Sequence, residues 1–102
     1  MRLRSTDRYF TILFRPSGLG YPRVGLAIAK KRVRRAVDRN RIKRLIRESF
    51  RHVQQDLGEV DVVIMARNDT AAADNETLSK SLERHWRKVR ERLAEPQSDK
   101  QH

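Results

Sequence analysis

The stretch from Arg39 to Arg51 (Arg-Asn-Arg-Ile-Lys-Arg-Leu-Ile-Arg-Glu-Ser-Phe-Arg) constrains the fold of this chain more than any other. Wound at 3.6 residues per turn, it carries Ile42, Leu45, Ile46, Ser49 and Val53 on one side, with Phe50 at the edge. Asn40, Arg44, Arg47 and Arg51 fall on the other side, flanked by Lys43. One face requires a core and the other presents a row of cations. The segment therefore predicts a helix laid on an apolar layer, with its outer surface turned toward something anionic such as a phosphate backbone. A merely solvated helix face usually alternates sign and forms i,i+4 pairs. Here Glu48 is the only acid between Arg39 and Arg51.

The cationic character begins before the helix. Between Lys30 and Arg51, eleven Lys or Arg meet only Asp38 and Glu48, which leaves nine of the chain's net charge of +11. Such local concentration argues for a nucleic-acid-binding surface rather than general solubility. Candidate contacts are Lys30, Lys31, Arg32, Arg34 and Arg35 ahead of the helix, and Asn40, Lys43, Arg44, Arg47 and Arg51 on it. Backbone N–H groups at the helix start would add phosphate donors. Arginine suits this task because its fork binds phosphate bidentately and stacks on bases. Arg35 and Arg39 fall near the apolar side of the wheel. There they either emerge at a crevice between helix and sheet or snorkel along apolar surface.

The remaining segments fit one domain of 102 residues. Tyr9–Phe14 and Arg23–Ala29 read as strands joined by the turn-rich 16–22 segment, and an antiparallel hairpin is expected. The basic helix is expected to run to about Gln55, with Gly58 as its stop. Val60–Ala66 reads as a third, central strand and 67–73 as a loop. Asp74 is a candidate N-cap for a last helix whose apolar stripe is Leu78, Leu82, Trp86, Val89 and Leu93, ended by Pro96. The expected class is α+β, a small sheet with helices packed on it in the order β-β-α-β-α. It forms a single RNA-binding domain over residues 1–95, with a polar tail over 96–102. On the first strand, Phe10, Ile12 and Phe14 share one face and Tyr9, Thr11 and Leu13 the other. One face packs on the helices; the other is either further core surface or a platform for unpaired bases.

Several classes are excluded or weakened. Without cysteine there are no disulfides or thiolate metal sites, which fits a reducing compartment, expected to be the cytoplasm. No apolar run approaches the ~20 residues of a membrane span, and the first residues lack a signal-peptide core. His52, His85 and His102 show no spacing of a catalytic pair or triad, and His85 is expected at the rim beside Trp86. Asp61 and Asp69 form no metal pattern, so neither a protein-held metal nor a protein catalytic group is expected.

The block Arg23-Val-Gly-Leu-Ala-Ile-Ala-Lys-Lys31, followed by Ala36-Val-Asp-Arg-Asn-Arg-Ile-Lys-Arg-Leu-Ile-Arg-Glu-Ser-Phe-Arg51, closely resembles the protein subunit of bacterial ribonuclease P. The likeness extends through Asp61–Arg67 and the helix around Leu82 and Trp86, from about Arg8 to Leu93. It implies a left-handed βαβ crossover like that of ribosomal protein S5 domain 2. It also implies a large catalytic RNA as partner, cleavage of precursor tRNA to release its 5′ leader, and chemistry performed by the RNA with magnesium at the RNA active site. The protein would hold the single-stranded leader and strengthen substrate and magnesium affinity. By position, Arg39, Asn40, Arg41, Lys43, Arg44 and Arg47 match the signature helix, and Lys30 and Lys31 the family's basic pair. Thr11 and Leu13, with Arg39 and Lys43, would line the leader cleft; Leu13 stands where some relatives place an aromatic residue. The resemblance also implies an extra N-terminal helix whose phenylalanines wall the leader cleft, whereas here the first strand is expected almost at the start; either the start is truncated or misassigned, or this variant lacks that wall. That difference predicts an apolar groove beside the sheet and self-association as a homodimer or through a swapped strand.

Other readings remain open on the residues alone. A structural ribonucleoprotein component of ribosomal type would share the charge and size without conferring cleavage. A DNA-binding helix in a major groove lacks a partner helix-turn-helix, zipper or zinc ligands. A membrane-surface helix would need the apolar stripe that the core claims.

Overall fold

A computed structural model of the chain describes residues 3–95. Its elements are β1 (Leu3–Thr6), β2 (Phe10–Pro16), β3 (Arg23–Ala27), α1 (Ala36–Leu57), β4 (Val60–Ala66) and α2 (Asn75–Ala94). The strands form one sheet in the order β1-β2-β4-β3. β2 runs antiparallel to both β1 and β4, whereas β3 lies parallel to β4, so β3–α1–β4 is a βαβ unit.

Period-two alternation decides what each sheet face does. Phe10, Ile12 and Phe14 of β2 are buried with Val60, Val62, Ile64 and Ala66 of β4. Register sets Ile12 opposite Ile64 and Phe14 opposite Val62. The helices cover this face. Ile42, Ile46 and Phe50 of α1 join Leu78, Leu82, Trp86 and Val89 of α2 in one continuous core. Trp86 donates its indole N–H to Ser49 Oγ at 2.7 Å. That bond explains a serine within the apolar stripe of α1. The ring also packs against Phe50 at 5.9 Å between centroids. Asp74 caps α2 by accepting the Thr77 N–H at 2.8 Å, and Gly58, at φ 74°, follows the last turn of α1.

The α+β class and the layering agree with the sequence reading, and three details differ. First, β1 precedes the five expected elements. It lacks an apolar alternation, and side-chain hydrogen bonds hold it instead. Asp7 Oδ1 accepts the N–H groups of Tyr9 and Phe10, both at 2.9 Å, to close the β1–β2 turn. Second, β2 and β3 do not pair as a hairpin, because β4 lies between them. The Ser17 N–H donates to the Glu59 carbonyl at 3.1 Å, which carries the connecting loop past the start of β4. Apolar residues on both of its faces suit β4 to the centre, whereas β3, with Arg23, Gly25 and Ala27 exposed, suits an edge. Third, α1 begins at Ala36, after a loop plugged into the core by fully buried Val33. The expected helix stop at Pro96 and the polar tail lie outside the described residues.

Candidate nucleic-acid interface

The buried stripe of α1 fixes what its other side presents. Asn40, Lys43, Arg44, Arg47 and Arg51, with Glu48, line a shallow groove of about 350 Å³ along the helix. From Asn40 to Arg51 this row extends roughly 16 Å at ~1.5 Å per residue. Glu48 is taken up at one end: Arg51 Nη2 lies 2.6 Å and His52 Nε2 3.3 Å from its carboxylate. The hydrogen bond from Arg51 holds that carboxyl below its ordinary range. Among the described residues, Lys43, Arg44 and Arg47 have no acidic partner. Their mutual repulsion is left for an external anion to relieve.

Arg39 and Arg41, on the same helix, are engaged within the protein. Arg39 Nη1 donates to the carbonyls of Val33 at 3.1 Å and Arg34 at 2.8 Å. This resolves the ambiguity of its place on the wheel: it reaches back over the entering loop. Arg41 reaches the start of α2, donating to Asn75 Oδ1 at 2.7 Å and to the carbonyls of Ala71 and Ala73 at 3.3 and 3.4 Å. Arg32 Nη1 donates to Asn68 Oδ1 at 2.8 Å and ties the two loops together. Three arginines thus gather the 28–35 loop, the 67–74 loop and the first turns of α1. The exposed side chains of Lys30, Lys31, Arg34 and Arg35 are carried on that assembly. Arg35 is the N-cap of α1 and makes no side-chain capping bond. Sequence spacing pointed to none of these tethers, because the acceptors are backbone carbonyls or amides up to 36 residues away.

The sheet face away from the helices is open. Register places Arg4 and Thr6 of β1, Thr11, Leu13 and Arg15 of β2, Asp61, Val63 and Met65 of β4, and Arg23, Gly25 and Ala27 of β3 on it. Thr11 and Leu13 therefore share a face, and the Thr11 and Thr6 hydroxyls bond at 2.7 Å. Arg39 and Lys43 sit in the helix layer on the opposite side of the sheet, so the four residues do not form one wall. Phe10 and Phe14 face the helices and are removed as stacking surfaces. A trough of about 500 Å³ crosses the open face, lined by Leu13, Arg15, Arg23, Gly25, Asp61 and Val63.

His85 is buried, 3% exposed, rather than at the rim. Its Nδ1 lies 2.7 Å from Ser5 Oγ and its Nε2 3.1 Å from Asp7 Oδ1. Burial lowers the imidazole's affinity for a proton despite Asp7 nearby. The cluster holds β1 against α2. Among the described residues, no group of three His, Asp or Glu side chains is placed to hold a metal ion, and no helix is long and apolar enough to cross a membrane.

A family model described as Ribonuclease P matches residues 2–90. The ribonuclease P protein component of Methylococcus capsulatus is 52% identical over 83 residues, which are 81% of this chain and 65% of that protein. That of Salmonella arizonae is 55% identical over 85 residues, 83% of this chain and 71% of the relative. The matched segment thus spans about two thirds of these relatives' length. Among solved structures, an RNase P protein from Staphylococcus aureus superposes with a TM-score of 0.78 at 28% identity, covering 86% of this chain and 80% of that one. The RNase P protein from Thermotoga maritima in complex with 1-(4-fluorophenyl)-2-thiourea gives a TM-score of 0.75 at 29% identity, with 83% of each chain covered.

Proposed function

This chain belongs to the ribonuclease P protein family, and we propose that it acts as the protein subunit that assists a catalytic RNA in removing the 5′ leader from precursor tRNA. The observation that carries this reading is the row Lys43, Arg44 and Arg47, cationic, exposed or half-exposed, and without acidic partners among the described residues. These groups bind the catalytic RNA through its phosphates, and release of condensed counterions drives the association. Lys30, Lys31, Arg34 and Arg35 extend that contact from the loop.

Arg39 and Arg41 act mainly as positioning residues, holding the two loops in register with the row. Single-stranded leader lies over the open sheet face near Thr11 and Leu13, where apolar and hydroxyl groups accept bases without demanding a sequence. Magnesium would be supplied at the RNA active site, where it would stabilise charge on the scissile phosphate. The protein's part is to neutralise phosphates where the two RNAs converge, which favours substrate and metal binding together. Self-association as a homodimer or through a swapped strand is a further proposal for this chain, read out by light scattering at high concentration.

The test is reconstitution with a bacterial ribonuclease P RNA at low magnesium, using precursor tRNA labelled at its 5′ end. The expected outcome is cleavage at the mature 5′ position that depends on added protein. Tight RNA binding without any stimulation would instead support the structural ribonucleoprotein reading.

A further inference from the structure

We infer that the 67–74 loop is a rigid coupler between two parts of the protein, with Thr70 as its positioning residue, so that catalytic RNA and precursor tRNA strengthen each other's binding. The inference rests on the proposed function and deepens it.

The topology puts this loop between two regions that do not otherwise meet. Central β4 pairs with the start of β2 on one side, Phe10 opposite Ala66, and with the end of β3 on the other, Ala27 opposite Met65. The β1–β2 turn therefore stands on one flank of the segment that leaves β4. The cationic 28–35 loop and the start of α1 stand on the other. Among the described residues, no hydrogen bond or ion pair joins these two flanks directly. Both bond to the 67–74 loop instead.

On the side of the turn, Thr70 Oγ1 donates to the Tyr9 carbonyl and accepts the Arg67 N–H at 3.0 Å. That N–H is shared with the Tyr9 carbonyl, again at 3.0 Å. Arg67 Nη1 donates to the Asp7 carbonyl at 2.7 Å, and Arg8 Nε donates to Asp69 Oδ2 at 2.8 Å. On the side of α1, Asn68 accepts from Arg32, and the carbonyls of Ala71 and Ala73 accept from Arg41.

Thr70 differs from its neighbours. It is 0% exposed, whereas Arg67, Asn68, Asp69 and Ala72 lie on the surface. Its own N–H donates to the Arg67 carbonyl at 3.1 Å, and its carbonyl accepts the Ala73 N–H at 3.2 Å. Every polar group of Thr70 is thus used within the loop or on Tyr9. A buried hydroxyl is costly unless it is bonded, and this one is bonded so as to fix the loop against the turn. A loop held on both sides keeps the two flanks in one geometry. Protein docked on the catalytic RNA then presents the other flank to the precursor without a further ordering cost. The factor is reciprocal: bound protein raises the precursor affinity of the catalytic RNA as much as bound precursor raises its affinity for the protein.

The experiment compares the parent protein with Thr70→Val, Thr70→Ser and Asn68→Ala, each reconstituted with a bacterial ribonuclease P RNA. Two affinities are measured: that of the protein for the RNA alone, and that of precursor tRNA for the RNA with and without protein. Thr70→Val removes the hydroxyl at nearly constant shape, and Asn68→Ala frees the loop from Arg32 at an exposed position. Neither changes charge, so the salt slope of RNA binding should match the parent. Both should keep the affinity for the RNA alone within about twofold and lower the protein-dependent gain in precursor affinity about tenfold. Thr70→Ser, which keeps the hydroxyl, should retain the gain. If Thr70→Val fails to fold, Asn68→Ala decides alone. An unchanged gain, or RNA binding and gain weakened by the same factor, would overturn the coupling while the proposed function stands. No gain with the parent protein would overturn both.

Discussion

The two helices have nearly the same length, 22 residues in α1 and 20 in α2, and the same amphipathic period, yet they end differently. Asp74 caps α2, Glu76 lies 3.5 Å from Lys80 and Arg92 lies 3.6 Å from Glu95, while Arg87, Lys88 and Arg90 have no acidic partner among the described residues. α1 has no side-chain cap and leaves Lys43, Arg44 and Arg47 uncompensated. α1 carries exposed pairs of its own, Arg51 with Glu48 at 2.6 Å among them; such pairs are individually weak, about 0–1 kcal/mol, so charge pairing adds little to either helix. The difference teaches that α2 closes its own N-terminus with a side chain, whereas the start of α1 stays open beside a row of cations, as the proposed RNA interface would require. Amphipathicity alone would not separate them; the N-terminal caps do.

The largest effect should come from the shared core. Trp86→Ala removes the ring that packs on Phe50 and leaves Ser49 Oγ without its donor. A loss of about 3–5 kcal/mol in urea unfolding is expected, with RNA binding lost only as the protein unfolds. If the variant binds RNA poorly while remaining folded, α2 belongs to the interface and the contrast fails.

Acid should act next, through the anchor of β1 on α2. Burial alone would raise the Asp7 carboxyl, but the hydrogen bonds from Ser81, Phe10 and Tyr9 outweigh it and set it at about 2 instead of 3.8. A depressed carboxyl adds stability that is present above the unfolded pKa and is lost as pH falls from 3.8 toward 2, roughly 2 kcal/mol in all. His85, also depressed, adds stability above 6.5 that begins to fall once pH drops below that value. Urea titrations across pH should show both limbs, and His85→Gln should remove the upper one. A pH-independent midpoint from 7 to 5 would refute the buried, neutral imidazole.

Within α1 the contrast can be sharpened residue by residue. Arg44→Ala should weaken RNA binding about tenfold, the equivalent of one charge-assisted hydrogen bond. It should make the salt dependence shallower by about one phosphate and change stability by no more than about 0.5 kcal/mol. Arg41→Ala should behave in the opposite way, costing about 1–3 kcal/mol because the carbonyls of Ala71 and Ala73 lose their donor. Its RNA affinity should follow the integrity of the loops. Identical behaviour of the two variants would dissolve the division between contact and positioning residues.

How far this division could be read from the sequence depended on distance along the chain. Local rules found β2, β3, β4 and both helices, the Asp74 cap and the Gly58 stop, because each is written in a few neighbouring residues. The row Lys43, Arg44 and Arg47 was legible for the same reason. What escaped was long-range. Nothing local says that β4 should displace the expected β2–β3 hairpin. β1 is polar in sequence and depends on Ser5 and Asp7 meeting His85, about 80 residues away. Arg41 could be seen as a cation but not as a strap to α2, since Asn75 lies 34 residues on. The ion cluster of Arg15, Arg23 and Asp61 likewise exists only once β4 stands between β2 and β3.

The smallest effect bears on the caps themselves. Arg35→Ser gives α1 the side-chain acceptor that Asp74 gives α2 and removes one cation from the helix start. Stability should rise by about 0.5–1 kcal/mol, while RNA affinity falls and its salt slope becomes shallower by up to about 0.9. Asp74→Ala should show the converse in stability, a loss of about 1 kcal/mol, with RNA affinity unchanged in the folded protein. Opposite signs at the two caps would mean that the start of α1 trades helix stability for an anion contact and the start of α2 does not. If Arg35→Ser stabilises without weakening RNA binding, the uncapped end contributes nothing to recognition, and the interface narrows to the row from Asn40 to Arg51.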